Sequence, residues 1–162
     1  MEMNMEVIGV IDTMFAIVNM GEFAREELKT CPGYGKQFEI VSETVPGFKD
    51  LAVGAKKLIE ERKANIVIAL GMPGKEAIDQ VCAHEASQGI MLAQLLTSTH
   101  ILEVFVHQNE SNDPKEFIQI CEQRAKKHAR NAYWLLYDKD QLKKRAGMGI
   151  RQGFDNVGPL KL

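Results

Sequence analysis

Side chains able to do chemistry gather in four short stretches of this 162-residue chain, each placed where an apolar run ends. They are Asp12 to Phe15, Pro46 to Asp50, Gly71 to Glu76, and His107 to Glu110. Together they offer charge (Asp12, Lys49, Asp50, Lys75, Glu76), apolar surface (Met14, Phe15, Phe48, Met72) and one imidazole. That mixture suits a flat heterocycle with polar appendages better than a bare phosphate. His107 is the natural proton carrier, because an imidazole titrates near physiological pH. Glu103 is the one charge inside an apolar run that reads as a buried strand, and a buried carboxylate needs a partner or a ligand.

Each feature also has a plainer meaning. Pro46-Gly47 reads as an ordinary turn, Phe15 and Phe48 as core residues, and Lys75, Glu76 and Asp79 as first-turn charges of a helix. The Gly71-Met72-Pro73-Gly74-Lys75 turn offers an anion a helix N-terminus, but no GxxxxGK[ST] phosphate loop is present. His84 and Glu85 lie about two turns into the following helix, too deep for the same crevice, and fit an interface or structural role.

The elements that must position these residues follow from periodicity and punctuation. Val7 to Ile11, Phe38 to Val45, Ile66 to Leu70 and Ile101 to Val106 read as strands. Asn19 and Glu22 have capping-box spacing, and the helix they open ends at Cys31-Pro32-Gly33. Asp50 to Arg62 is a second helix. The third, from about Lys75 to Leu96, carries Ile78, Cys82, Ala86, Gly89, Ala93 and Leu96 on one stripe and further apolar residues on the other side. A helix apolar over so much of its circumference has neighbours on two sides. Asp113-Pro114-x-Glu116 is a strong start for a fourth helix, whose inward stripe reads Ile118, Cys121, Ala125, Ala129, Ala132 and Leu136. A short helix follows from Asp138 and ends at Gly147, and a Gly-containing tail should lie over the surface.

The alternation βαβαβαβα predicts one domain, residues 1–162, with a four-stranded parallel sheet, right-handed crossovers and helices on both faces. That is a three-layer α/β/α sandwich, whose ligands bind at the carboxyl ends of the strands. Four strands leave two open edges, and open edges favour oligomerisation.

The totals narrow the function. A net charge of −2 with interspersed signs gives no electrostatic footprint for nucleic acid. The cluster Lys143-Lys144-Arg145 stands beside Asp138 and Asp140 and reads as a solvated helix face. Nothing approaches the length of a membrane span, and the N-terminus has no signal-peptide pattern. Cys31, Cys82 and Cys121 lack CxxC spacing, which argues against disulfides and zinc and for a reducing cytoplasm.

Several motifs carry a family resemblance. Val45-Pro46-Gly47-Phe48-Lys49-Asp50-Leu51 with Ala55-Lys56-Lys57-Leu58 resembles the VPG…AAKKL segment of lumazine synthases. Ala69-Leu70-Gly71 followed by Val81-Cys82-x-x-Glu85-Ala86 resembles their third strand and helix. Those enzymes continue with a longer Arg- and Thr-containing loop that holds a substrate phosphate, then a catalytic histidine. Here the loop is MPGKEAIDQ, without Arg, Thr or His. The loop ALGMPGK, the helix segment VCAHEAS, the strand ILEVFVH and the tail RAGMGIRQGFDNVGP are similar, over nearly the whole chain, to the archaeal type of riboflavin synthase.

That resemblance implies a lumazine synthase-like fold with flavodoxin-like strand order, assembled as a homopentamer with sites between subunits. It implies a dismutation, in which two 6,7-dimethyl-8-ribityllumazine molecules exchange a four-carbon unit to give riboflavin and 5-amino-6-ribitylamino-pyrimidinedione. No redox cofactor is implied; magnesium is implied as an activator, with no metal ligands assigned. By position, Phe15 should stack on a ring, and Gly47, Phe48 and Asp50 should contact the ribityl chain. Asp12, Thr13, Pro46, Lys49, Gly71 and Met72 complete the substrate contacts, Met72 through its backbone N–H. Glu103 falls beneath the pyrimidine ring. Lys75, Glu76 and Asp79 replace the phosphate loop where a second lumazine needs room, and His107 is the proton shuttle. The alternatives are lumazine synthase itself and a non-catalytic flavin- or lumazine-binding scaffold.

Overall fold

Apolar runs become strands and amphipathic stretches become helices in the computed structural model, which describes residues 5–151 and 154–161. The order is β1 (Glu6–Thr13), α1 (Met20–Lys29), β2 (Phe38–Val45), a 3-10 turn (Phe48–Asp50), α2 (Leu51–Arg62), β3 (Ile66–Gly71), α3 (Ala77–Thr97), β4 (Ile101–Phe105), α4 (Pro114–Tyr137) and α5 (Lys139–Arg145). The strands form one parallel sheet in the order β2-β1-β3-β4. Thr13 stands opposite Val45 and Gly71 opposite Phe105, so neighbouring strands finish level at the carboxyl edge.

Two cores sandwich the sheet. Ile8 and Val10 of β1 and Ile66, Ile68 and Leu70 of β3 point to a layer made by α1 and α4. Val7, Ile11, Val67 and Ala69 point the other way, to α2 and α3. Both faces of the central strands are therefore apolar, which is why they read as unbroken hydrophobic runs. Gly9 lets α2 close on the sheet, since a β-carbon there would lie 3.0 Å from Val67 Cγ2 and 3.2 Å from Leu58 Cδ1.

The caps act as their residues suggest. Asn19 Oδ1 accepts the Glu22 N–H at 3.1 Å. Asp113 Oδ1 accepts the Lys115 and Glu116 N–H groups at 2.7 and 3.0 Å, with Pro114 at the first helical position. The Glu116 carboxylate takes the Ser111 hydroxyl instead of closing a capping box.

Two stripes differ from expectation. The buried face of α3 is Ala83, Ala86, Ile90 and Ala93. Ile78 and Leu96, placed inward by the sequence, are exposed, as are Val81, Met91, Leu92 and Leu95. Periodicity alone could not choose between two apolar sides, and the sheet takes the one with small residues because it permits close approach. In α4, Phe117 rather than Ile118 faces the core. The buried stripe of this helix also includes a charge, Arg124. Beyond α5 the described tail residues are largely exposed, tied to one another by the Val157 N–H to Gly149 carbonyl bond at 3.0 Å. Among the described residues no helix is long and apolar enough to cross a membrane.

Candidate active site

The sheet's connections diverge between β1 and β3, and a cleft of about 380 Å³ opens at their carboxyl ends. Asp12, Thr13, Thr44 and Leu70 form its floor and the turn from Ala16 to Met20 its wall. Asp12 and Thr13 are the last residues of β1 rather than loop residues, because pairing with β2 extends to Val45. Asp12 accepts the Thr44 hydroxyl at 2.6 Å, and its second oxygen lies 3.8 Å from Arg25. Gly21 makes room for that carboxylate: a β-carbon there would fall 2.1 Å from Asp12 Oδ2.

The next turn carries the aromatic surface. The N–H groups of Met14 and Phe15 donate to the carbonyls of Val45 and Pro46, at 2.8 and 3.2 Å. This places the Phe15 ring against Gly47 and leaves it 67% exposed, so it is a surface ring and not a core residue. Asp50 shapes the facing turn, its Oδ2 accepting the Gly47 N–H at 3.1 Å. Phe48 is different: its ring packs on Phe105 with centroids 5.9 Å apart, as part of the α2–α3 core. Gly71 fits beneath this pair, where a β-carbon would come within 2.6 Å of the Phe105 ring.

Lys49 pairs with Glu85 at 2.6 Å, which ties the 3-10 turn to the middle of α3 and gives Glu85 a structural partner. The pair raises the Lys49 pKa and lowers that of Glu85 through their hydrogen bond. Met72 differs from expectation. Its side chain is buried and its sulfur accepts the Ile17 N–H at 3.4 Å, so it supports the 16–20 turn from below.

At the start of α3, Lys75 donates to Asn112 at 3.2 Å and borders a second cleft of about 320 Å³ beside Ile17, Val18 and Gln108. Glu76 and Asp79 are both exposed or nearly so, but Asp79 is committed: its Oδ2 accepts the Glu76 N–H at 3.0 Å. A β-carbon on Gly74 would lie 2.3 Å from the same oxygen. The helix therefore begins at Ala77, with the Asp79 carboxylate closing one side of a capping box on the Glu76 N–H.

β4 ends at Phe105, and the following turn carries His107. The Val106 N–H donates to Gly71 and the Gln108 N–H to Pro73, which ties this turn to the Lys75 loop. Glu110 accepts the His107 N–H at 2.8 Å and is gripped by both terminal nitrogens of Arg124, at 2.7 and 2.6 Å. Burial pushes the Glu110 carboxyl up, but Arg124 and the His107 N–H outweigh it and hold the group below the usual carboxylate range. Glu103, expected to be buried, is half-buried on the edge strand, on the face shared with Ile101 and Phe105. Arg124 was absent from the sequence-derived site; its only signal was a charge beside the inward pair Cys121 and Ala125.

Residues 6–137 match the family model described as 6,7-dimethyl-8-ribityllumazine synthase. The chain belongs to this family. Several curated relatives carry the name riboflavin synthase. That of Methanothermobacter thermautotrophicus is 50% identical over 94% of this chain and 98% of its own length. Those of Archaeoglobus fulgidus and Aeropyrum pernix are 40% and 42% identical, over 94% and 95% of this chain and 97% of each relative. Family membership is consistent with the parallel four-stranded sheet and with a ligand crevice at its carboxyl edge.

Proposed function

We propose that this chain is a riboflavin synthase, converting two 6,7-dimethyl-8-ribityllumazine molecules to riboflavin and the ribitylaminopyrimidinedione. The observation that carries this reading is the loop into α3, MPGKEAIDQ, which has no Arg, Thr or His to hold a phosphate. Lumazine formation needs a site for a four-carbon phosphate, and helix N-termini are where such anions bind. Here the Asp79 carboxylate accepts the Glu76 N–H beside Gly74, which sets a negative charge where a phosphate would approach. The heterocycle platform at Phe15 and Gly47 is retained. A family member with a ring platform and no phosphate seat has room for a second ring, and the names of its relatives agree.

The reaction needs one lumazine to lose a proton from its C7 methyl, and the two rings to be held face to face. Pairing of reactants is itself a large part of such a rate enhancement. We assign ring stacking to Phe15, ribityl contacts to Pro46–Asp50 with Asp12 and Thr13, and proton transfer to His107. Lys75 and Glu76 line the second ring's space, with Asp79 holding their turn. One subunit distributes these groups among neighbouring clefts, so we place the complete site between subunits of a homopentamer. The exposed apolar side of α3 supports that assembly, and a cytoplasmic setting suits the free thiols. A magnesium activator finds no protein cage here: among the described residues no three His, Cys, Asp or Glu cluster. No step is routed through it.

The test is turnover of 6,7-dimethyl-8-ribityllumazine alone by purified protein. Riboflavin is expected without nicotinamide, flavin or any phosphate ester.

A further inference from the structure

The turn after β4 is held more firmly than a surface turn requires. Arg124 is 8% exposed and reaches it from α4, 19 residues away in sequence from Phe105. One terminal nitrogen donates to the Phe105 carbonyl at 2.9 Å and to Glu110 Oε1 at 2.7 Å. The other donates to Glu110 Oε2 at 2.6 Å. Glu110 Oε1 then accepts the His107 N–H, and the Glu110 N–H returns to the His107 carbonyl at 3.0 Å. These bonds close a ring around a single residue, His107.

The same place holds two polar atoms that the fold leaves unpaired. His107 Nδ1 and Arg124 Nε are buried without partners among the described residues. Their side chains line a cavity of about 610 Å³, together with Gln80, Glu110 and Phe154. Buried polar groups are nearly always satisfied, so two unpaired ones on residues beside one cleft are unusual and mark the His107–Glu110–Arg124 cluster as more than packing. A buried Arg–Glu pair is moreover a poor source of stability, because desolvation offsets its attraction. Its value lies in geometry: a planar fork fixes a carboxylate in one orientation.

We propose that Glu110 and Arg124 are positioning residues, which lock the 105–110 turn so that His107 presents its ring to this cavity in one orientation. The proposal rests on the reading of the chain as riboflavin synthase with His107 as proton carrier. Glu110 and Arg124 then act on turnover only through His107.

The experiment is a double-mutant cycle on the full chain, with Glu110→Gln and His107→Gln, reading kcat and KM separately for the lumazine. Glu110→Gln keeps an acceptor for the His107 N–H but removes the charge that the Arg124 fork grips. Its kcat should fall about tenfold or more with KM little changed. In the His107→Gln background the same change should cost less than about twofold, because the group it positions is gone. Arg124→Lys, which keeps the charge but not the fork, should repeat the pattern and covers the case in which Glu110→Gln does not fold. Equal losses in both backgrounds, full kcat in Glu110→Gln, or an unimpaired His107→Gln each overturn the proposal. If neither Glu110→Gln nor Arg124→Lys folds, the pair belongs to stability and the proposal is likewise overturned. Wild-type protein that makes no riboflavin overturns the functional reading and this inference with it; an active wild type with an additive cycle overturns the inference alone.

Discussion

The Phe15 ring rests on the α-carbon of Gly47: a β-carbon there would lie 3.2 Å from Phe15 Cδ2. An exposed aromatic ring gains little by packing on a glycine, so its position serves whatever stacks on its outer face. Phe15→Ala should raise KM for the lumazine, by a factor of about 5 to 160 if the stacked ring is worth about 1–3 kcal/mol. Unfolding midpoints should barely move, because the ring is largely in solvent. Gly47→Ala should give a smaller KM effect of the same sign by displacing the ring. Unchanged KM in both variants would return Phe15 to an incidental surface role.

Lys75 donates to Asn112 and sits exposed at the border of the second cleft. Lys75→Ala should lower turnover while changing stability by no more than about 0.5 kcal/mol, as for most surface substitutions. Steady-state kinetics beside a urea melt separates the two effects. Wild-type kinetics in a normally folded variant would make Lys75 an ordinary first-turn charge.

Much of this arrangement was legible in the residues. β2 needed no adjustment from Phe38 to Val45, because Pro46-Gly47 stops it cleanly. Asp113-Pro114 marked the start of α4 for the same kind of local reason. What was illegible depended on partners distant in the chain. Nothing near Glu85 says that Lys49 will bend back to meet it, and Met72 reads as crevice surface until Ile17 is folded over it. Arg124 shows the limit most clearly. A lone charge on an apolar stripe is visible, but its carboxylate partner in the β4 turn emerges only when α4 docks.

Acid should weaken the fold through His128. Burial, followed by repulsion from Arg124, lowers its pKa to about 4. An unfolded histidine titrates near 6.5, so between about pH 4 and 6.5 the unfolded chain binds a proton that the folded chain does not. The contribution is complete above about pH 6.5 and is lost as pH falls toward 4, on the order of 3 kcal/mol. Denaturation midpoints measured from pH 7 to pH 4 should decline, and His128→Gln should flatten the decline. An identical slope in the variant would place the acid sensitivity elsewhere.

The outer side of α3 predicts the assembly. Leu92 is 57% and Leu95 79% exposed in the single chain, and Ile78, Val81 and Leu96 are exposed along the same helix. Light scattering should find five copies of the 18.2 kDa chain. Leu95→Glu should shift the mass toward monomer and reduce turnover together, since a charge has no partner in an apolar seam. A monomeric wild type would contradict both the pentamer and a site shared between subunits.

The most direct measurement is the product balance from 6,7-dimethyl-8-ribityllumazine as sole substrate. Chromatography should show riboflavin and the ribitylaminopyrimidinedione appearing in equal amounts, one of each for two lumazines consumed. Well below saturation the rate should rise with the square of lumazine concentration, because both rings come from the same pool. Adding a four-carbon phosphate should create no new dependence, given the Asp79 carboxylate at the α3 N-terminus. Tight lumazine binding without flavin, or lumazine made from the pyrimidine and the phosphate, would contradict the assignment.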